Sequence, residues 1–164
     1  MDKEIIHSLF ETYQREIYLY LYSLSGNRDL AEDLLQETFL KAILALPDSH
    51  SNIRAWLYKV ARNLFYNTVR KQSKEILELS EDESGGDDSP LEQLLVDERQ
   101  RILVNAINKL ENPFREIVLL QYYGNMQLNQ ISAIIGVSPG NVRVMATRAR
   151  KKLKEYMKED GYEI

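Results

Sequence analysis

The chain has 164 residues and a formal net charge of −4, and 44% of its residues are hydrophobic. This length suits one domain or two small ones, and the composition is typical of a globular protein. The absence of cysteine excludes a disulfide framework and a thiolate metal site. The N-terminal residues lack the apolar core of a signal peptide, and no run approaches the roughly 20 apolar residues that a membrane span needs, so we expect a soluble cytoplasmic protein.

The first 74 residues are predicted to form an all-α bundle of three helices. Apolar residues recur with the 3.6-residue period of a helix over residues 5–24, 30–46 and 53–64. The first stripe begins at Ile5, and the second includes Ile43. Gly26 and Asn27 are expected to separate the first two helices, and Pro47 is expected to end the second before a polar loop over residues 48–52.

The third helix also has a basic side. Residues 53–74 contain six basic side chains and no acidic one. Aromatic and amide side chains, among them Trp56, Asn63, Tyr66 and Asn67, are interleaved with these basic residues. Such a mixture suits the unstacked bases of a single strand. The alternative is a core tryptophan beside an ordinary solvated helix face.

An acidic segment follows. Residues 75–98 contain ten acidic side chains and no basic one, whereas residues 1–74 carry a net charge of +1 and residues 99–164 a net charge of +5. Residues 80–90 are polar, include a glycine pair and show no apolar periodicity, which is typical of an extended linker. We therefore predict a first domain over 1–74, an acidic linker over 75–98 and a second domain over 99–164. The alternative is an acidic surface loop within one domain.

The second domain is predicted to contain four shorter helices. Asn112 should cap the second of these helices, Pro113 should occupy its first position, and Gly124 should end it. A short apolar helix then ends at Gly136, and Ser138-Pro139 should begin the last helix. Two helices joined by a three-residue turn with glycine are typical of a helix-turn-helix. No hairpin signal appears, so the whole chain is predicted to be all-α.

The last helix has a basic face opposite its apolar stripe. The expected buried residues are Val142, Met145, Ala146, Ala149 and Leu153. The opposite side carries Asn141, Arg143, Val144, Thr147, Arg148 and Lys151, and the flanking bases Arg150, Lys152 and Lys154 suit phosphates. Such a face can enter the major groove, where arginine binds guanine and small apolar groups contact a thymine methyl. A solvated basic face is the alternative, but the capped turn before the helix favours DNA.

No pattern in the sequence indicates an enzyme. Glu4 and His7 have the Glu-x-x-His spacing of di-iron bundles, which need a second such motif and further inward carboxylates. The only other histidine, His50, lies in the predicted loop after Pro47. No glycine-rich phosphate loop or histidine-paired nucleophile appears. We expect no metal, no cofactor and no catalytic residue.

The chain resembles the extracytoplasmic-function sigma factors of bacterial RNA polymerase, in the sigma-70 family, in three segments: AEDLLQETFLKA, WLYKVARNLFYNTVRK and the helix-turn-helix ending in TRARKKLK. The likeness covers nearly the whole chain, in order. It implies two helical domains, region two and region four, that direct core RNA polymerase to promoter DNA, with an anti-sigma factor as a further partner. The alternative is a helix-turn-helix regulator that acts without being a polymerase subunit.

The resemblance also implies roles for individual residues. Docking on the clamp coiled coil of the largest polymerase subunit is implied for Asp33, Leu34, Gln36 and Glu37. Recognition and melting of the −10 element are implied for Trp56, Lys59, Arg62, Asn63, Asn67, Arg70 and Lys71, with Lys59, Asn63 and Asn67 around the pocket for a flipped base. Reading of the −35 element is implied for Arg143, Val144, Thr147 and Arg148, and Ser138, Asn141, Arg150 and Lys151 complete the predicted −35 surface.

Overall fold

Seven α-helices form the regular structure in the computed structural model, which describes residues 3–45, 52–76 and 98–161. They are α1 (Lys3–Ser25), α2 (Arg28–Ala45), α3 (Ile53–Ile76), α4 (Glu98–Lys109), α5 (Phe114–Tyr122), α6 (Leu128–Ile135) and α7 (Pro139–Glu159). No strand occurs within these ranges, and the predicted all-α class is confirmed. The chain divides into two units, residues 1–87 and 88–164. Pro47, His50, nearly all of the predicted polar loop and most of the predicted linker lie outside the described residues.

The first unit is a bundle in which α1, α2 and α3 each pack against the other two. Tyr20 and Tyr58 meet edge to face at its centre, with ring centroids 5.0 Å apart, a geometry that the ring quadrupoles favour. Thr38 is also buried, and its Oγ1 donates to the Leu34 carbonyl at 2.7 Å, which satisfies the hydroxyl. The other core residues include Ile17, Leu21, Ala31, Phe39, Ala42, Leu57 and Ala61.

Glycine and asparagine set the helix boundaries of this unit, as predicted for Gly26 and Asn27. Gly26 has a φ of +65°, and its N–H donates to the Tyr22 carbonyl at 2.7 Å, which ends α1. At the start of α2, Asn27 Oδ1 accepts from the Leu30 N–H at 3.0 Å. At the start of α3, Asn52 Oδ1 accepts from the Ala55 N–H at 2.9 Å.

Two residues of the predicted apolar stripes are exposed in the described part of the chain. Ile5 is 49% exposed and Ile43 is 48% exposed. Ile43 lines an open groove between α1 and α2, together with Ile6, Phe10 and Leu40, so apolar side chains face solvent at this end of the bundle. The periodicity predicts which side of each helix is apolar. It does not predict how much of that apolar side is covered by a neighbouring helix.

In the second unit, α7 packs against α4, α5 and α6. Val142, Ala146 and Ala149 are buried, as the sequence predicted, and the two alanines allow close approach of the neighbouring helices. Met145 and Leu153, which were also predicted to be buried, are only half-buried. Arg115 of α5 secures the end of α4, because its Nε donates to the Leu110 carbonyl at 3.0 Å and its Nη2 donates to the Asn108 carbonyl at 3.1 Å. These contacts satisfy carbonyls that the end of a helix leaves unpaired.

The ends of α5 differ from the prediction by about one residue. Pro113 is the N-cap rather than the first helical residue, and the Asn112 side chain does not cap the helix. At the other end, the positive φ of 52° belongs to Asn125 and not to Gly124. Gly124 is needed for space instead, since a Cβ there would lie 2.7 Å from the Leu120 carbonyl oxygen.

No helix in the described part of the chain is long and apolar enough to cross a membrane. Within the same residues, no group of three histidine, aspartate or glutamate side chains is arranged to hold a metal ion. His7 instead pairs with Glu11 one turn later, with His7 Nε2 at 3.1 Å from Glu11 Oε1.

Candidate nucleic-acid interface

The helix-turn-helix of the second unit consists of α6, a short turn and α7. Gly136 adopts a left-handed φ of +76°, and its N–H donates to the Ser132 carbonyl at 2.9 Å, which closes α6. Ser138 Oγ accepts from the Asn141 N–H at 3.3 Å, and Pro139 is the first residue of α7. The predicted turn and the predicted cap are both confirmed.

A side chain that the sequence reading did not single out also holds this turn. Ser132 Oγ, on the last turn of α6, donates to the Val137 carbonyl across five residues. Val137 immediately precedes the cap of α7, so the bond ties the start of α7 to α6. A serine on the last turn of the first helix was the available signal, because a hydroxyl can bond to a nearby carbonyl in place of water.

Every predicted −35 residue is exposed on α7 or at its N-cap: Ser138, Asn141, Arg143, Val144, Thr147, Arg148, Arg150 and Lys151. Val144 is 46% exposed, so this apolar side chain lies at the surface among basic residues and does not pack in the core. Thr147 Oγ1 donates to the Arg143 carbonyl at 3.1 Å, which leaves its methyl group and an oxygen lone pair for a ligand. No acidic side chain occurs from residue 138 to residue 154. The face is therefore positive throughout and suited to a polyanion.

Lys152 has a partner within the second unit. Its ammonium lies 4.9 Å from the centroid of the Phe114 ring in α5, in a cation–π contact. A phosphate contact by Lys152, as the sequence suggested, would have to replace this ring contact. Arg150 and Lys154 are exposed on the same helix and remain the better candidates for phosphate.

The basic face of α3 follows one row of the helix. Lys59, Asn63 and Asn67 are four residues apart and exposed, and Arg70 and Lys71 extend the row by one turn. Trp56 and Arg62 are partly buried beside this row. The structure therefore places all seven predicted −10 residues on α3, with five of them open to solvent.

Two intramolecular contacts shape this face. The Arg62 guanidinium carbon lies 4.6 Å above the centroid of the Tyr66 ring, and Arg70 Nη2 donates to Asn67 Oδ1. Between them is an open cavity of about 520 Å³, lined by Arg62, Asn63, Tyr66, Asn67, Val69 and Arg70. Tyr66 was only noted among the interleaved aromatic residues of the sequence, although its spacing of four from Arg62 is the spacing of helical neighbours.

One carboxylate fastens the start of α3 to α1. Glu16 Oε1 accepts from Arg54 Nε at 2.7 Å and from the Tyr58 hydroxyl at 2.9 Å. Burial, and then the charge of Glu16, raises the pKa of Tyr58 well above its usual range. Burial alone would lower the pKa of Arg54, but the hydrogen bond to Glu16 and its charge raise it. The first turns of the basic face are therefore held by a charge-assisted cluster.

A third candidate surface lies on α2. Asp33, Gln36 and Glu37 are exposed, in agreement with a role in docking, but Leu34 is only 2% exposed. Leu34 turns about 100° away from Asp33 on the helix and packs in the core, so its side chain is not part of this exposed surface, and a contact of Leu34 with a partner stays a prediction. Two leucines that the sequence reading missed continue the exposed row, Leu40 at 54% and Leu44 at 77% exposed.

We call Asp33, Gln36, Glu37, Leu40 and Leu44 the α2 ridge. Each member lies three or four residues from another member, so all five share one side of the helix. The ridge is polar in its first half and apolar in its second half. The recurrence of leucine at i+4 was the available signal, but the sequence alone suggests the core for such residues.

Known proteins match both units. Residues 9–75 match the family Sigma-70 region 2, and residues 100–153 match the family Sigma-70, region 4. The ECF RNA polymerase sigma factor SigM of Bacillus subtilis (strain 168) is 34% identical over 155 residues, which cover 91% of this chain and 93% of SigM. The RNA polymerase sigma factor YlaC of the same strain is 30% identical over 161 residues, covering 94% of this chain and 93% of YlaC. The sigma factor RpoE from Bartonella quintana, solved in complex with the anti-sigma factor NepR, is similar with a TM-score of 0.75 and 27% identity, covering 93% of this chain and 96% of RpoE.

Proposed function

This chain belongs to the extracytoplasmic-function sigma factors of the sigma-70 family, and from that premise we propose how its surfaces share the recognition of a promoter. As a sigma factor it is a regulatory subunit that directs core RNA polymerase to promoters for transcription initiation. The alternative, a helix-turn-helix regulator that acts alone, is not favoured, because the match to region 2 extends over α1, α2 and α3. Its place of action is the cytoplasm, with the polymerase.

Residues 1–74 act as the region-two domain and residues 99–164 as the region-four domain, with residues 75–98 as the acidic linker. The ten acidic side chains of that linker offset the net positive charge of the two domains in the free protein, which disfavours binding to random DNA.

The exposed, acid-free face of α7 is the single observation that best supports the DNA-binding part of this proposal. Arg143 and Arg148 supply guanidinium groups that can bind a guanine edge through two hydrogen bonds. Val144 is an exposed apolar side chain between them and suits a thymine methyl. Arg150 and Lys151 suit the phosphates on either side. The face reads the −35 element in the major groove.

Substitution of the two arginines tests this assignment. Arg143→Ala and Arg148→Ala should each weaken binding to the preferred −35 sequence by about 1–3 kcal/mol and relax the preference at one base pair. Lys158→Ala, an exposed base on the last turn of the same helix, is the matched control. Holoenzyme binding to a library of −35 sequences is the measurement. Equal weakening on every sequence would mean that the arginines contact only phosphate.

The basic face of α3 melts and holds the −10 element. Lys59, Asn63 and Asn67 form an exposed row in which amides can bond to base edges and the ammonium can bind phosphate. Lys59→Ala and Asn63→Ala should leave binding to a −35 duplex intact but reduce open-complex formation, because extruding a base costs a few kcal/mol that its binding site must return. Lys41→Ala, an exposed base on α2, is the control, and permanganate reactivity at −10 is the measurement. Normal opening by both α3 variants would contradict the assignment.

The α2 ridge docks on core RNA polymerase. Its exposed acid and amide groups fit a polar contact, and the exposed leucines extend the same surface by an apolar part. The anti-sigma factor NepR is the partner of the similar sigma factor RpoE, and we propose that an anti-sigma factor controls this chain as well.

A further inference from the structure

The Tyr66 ring on α3 lines the open cavity of that helix and contacts two neighbouring side chains. It meets the Phe65 ring edge to face, with centroids 5.0 Å apart and an interplanar angle of 75°. Phe65 is only 7% exposed and belongs to the core, so the Tyr66 ring packs against the core on this side. On one face of the Tyr66 ring lies the Arg62 guanidinium, at 4.6 Å from the centroid.

The lining of the cavity indicates the class of its ligand. It contains an aromatic ring, the amides of Asn63 and Asn67, the guanidinium groups of Arg62 and Arg70, and no carboxylate. An aromatic ring stacks on a flat π-system, an amide both donates to and accepts from the edge of a base, and a guanidinium binds phosphate. A nucleotide of an unpaired strand offers all three, and a volume of about 520 Å³ lies within the usual range for ligand sites.

We propose that Tyr66 is a stacking platform for one unpaired base of the melted strand, and that Arg62 moves from the Tyr66 ring to a phosphate of that strand when the base arrives. The inference rests on the proposed role of α3 in melting, and it adds to that role a residue that the resemblance did not assign. In the free protein the guanidinium covers the ring, which keeps an exposed aromatic face from water. In the complex a base takes over the ring, and the guanidinium gains a phosphate.

The test uses holoenzyme formed from the full chain and purified bacterial core polymerase. Its promoter carries 2-aminopurine at one −10 position of the non-template strand at a time. This base analogue fluoresces when it is unstacked and is quenched when it stacks on a ring. In the wild-type complex, one position should stay dark after opening while its neighbours brighten. Tyr66→Leu should brighten that position and shorten the lifetime of the open complex about tenfold, whereas Tyr66→Phe keeps the ring and should behave as wild type.

The controls separate this inference from the proposed function. Tyr122→Leu removes a tyrosine that is 59% exposed on α5 and should change nothing. Arg62→Gln should leave the dark position dark, but lower the salt dependence of open-complex lifetime by about the contribution of one phosphate contact. If no position brightens in the wild-type complex, the proposed role of α3 in melting the −10 element is wrong. If opening is normal and Tyr66→Leu keeps the wild-type pattern, or if Tyr66→Phe loses it, the stacking role alone is wrong.

Discussion

Replacement of Glu16 with alanine should destabilise the first unit, because one carboxylate oxygen of Glu16 serves two partners on α3. Arg54 Nε lies 2.7 Å from Glu16 Oε1, and the Tyr58 hydroxyl lies 2.9 Å from the same atom. Tyr58 is fully buried, whereas the side chains of Arg54 and Glu16 are 30% and 21% exposed. Alanine at position 16 would therefore leave a buried hydroxyl without its acceptor, while water could still reach the guanidinium.

The expected loss is about 2–3 kcal/mol of unfolding free energy. Leaving a buried hydroxyl unsatisfied costs about 1–3 kcal/mol. The ion pair with Arg54 adds at most about 1 kcal/mol, since a pair at this exposure is partly screened by solvent. With a urea m value of about 1 kcal/mol/M for so small a unit, the midpoint should fall by about 2–3 M.

Trp56 makes the measurement selective, because it is the only tryptophan of the chain and lies two residues after Arg54. Its fluorescence during urea unfolding reports on the first unit alone. Glu16→Gln keeps an acceptor oxygen and should lose about 1 kcal/mol. Glu16→Ala combined with Tyr58→Phe should be less destabilised than the sum of the single variants, since no hydroxyl is then left unpaired. A loss below about 0.5 kcal/mol for Glu16→Ala, or equal losses for alanine and glutamine, would refute the reasoning.

Three further results are expected. The double variant Gln36→Ala/Glu37→Ala should bind core RNA polymerase at least tenfold more weakly, while its melting temperature changes little. Surface changes of this kind usually alter stability by about 0.5 kcal/mol or less. The control variant Glu32→Ala, on the same helix, should bind core RNA polymerase normally. Burial, and then the adjacent carboxylate, raises the pKa of Tyr58. The unfolded chain therefore releases a proton above about pH 10 that the folded chain keeps. Above that pH, the unfolding free energy of the wild type should fall by about 1.4 kcal/mol per pH unit relative to Tyr58→Phe. Below that pH, the difference in unfolding free energy between the two proteins should stay constant. Ser132→Ala should lower the unfolding free energy of the second unit by about 1 kcal/mol and weaken binding to a −35 duplex. Ser132→Thr keeps the hydroxyl and should retain both stability and binding. Full duplex affinity in the alanine variant would show that the turn does not depend on this hydrogen bond.

The parts of the fold that local chemistry decides could be predicted from the sequence. Gly26 ends a helix because it accepts a positive φ, and Ser138 begins one because its hydroxyl replaces a missing backbone partner. Both events depend on a few neighbouring residues. The start of α5 was misplaced because Asn112 and Pro113 favour a helix start in more than one register, and the packing of the unit decides between them.

Burial that depends on neighbouring helices could not be predicted from the sequence. Glu116 is 1% exposed in α5, although a glutamate in a short amphipathic segment is expected to face water. Leu34 and Leu40 look alike in sequence, yet Leu34 is 2% exposed and Leu40 is 54% exposed, because only one of them faces the other helices of the bundle. A motif carried over as a block assigns one role to all its residues, whereas the helix directs adjacent side chains about 100° apart.

The contacts within the α3 face bear on its preference for melted DNA over duplex. Arg62 rests on the Tyr66 ring, and Arg70 bonds to Asn67, so these groups already have partners in the free protein. A duplex presents mainly phosphates to such a surface. If the guanidinium groups turned to those phosphates, the Tyr66 ring and the Asn67 amide would lose their partners and gain no new ones. An unpaired strand presents phosphates together with base faces and base edges, so the ring and the amide gain new partners at the moment they lose the old ones. Exchanging one contact for another adds less to binding affinity than forming a new contact. The loss of binding free energy is greatest on a duplex, where the ring and the amide find no new partner. On the role proposed for α3, we therefore expect its intramolecular pairs to disfavour binding to closed DNA and to favour the opened strand, so that binding of that strand helps to drive melting.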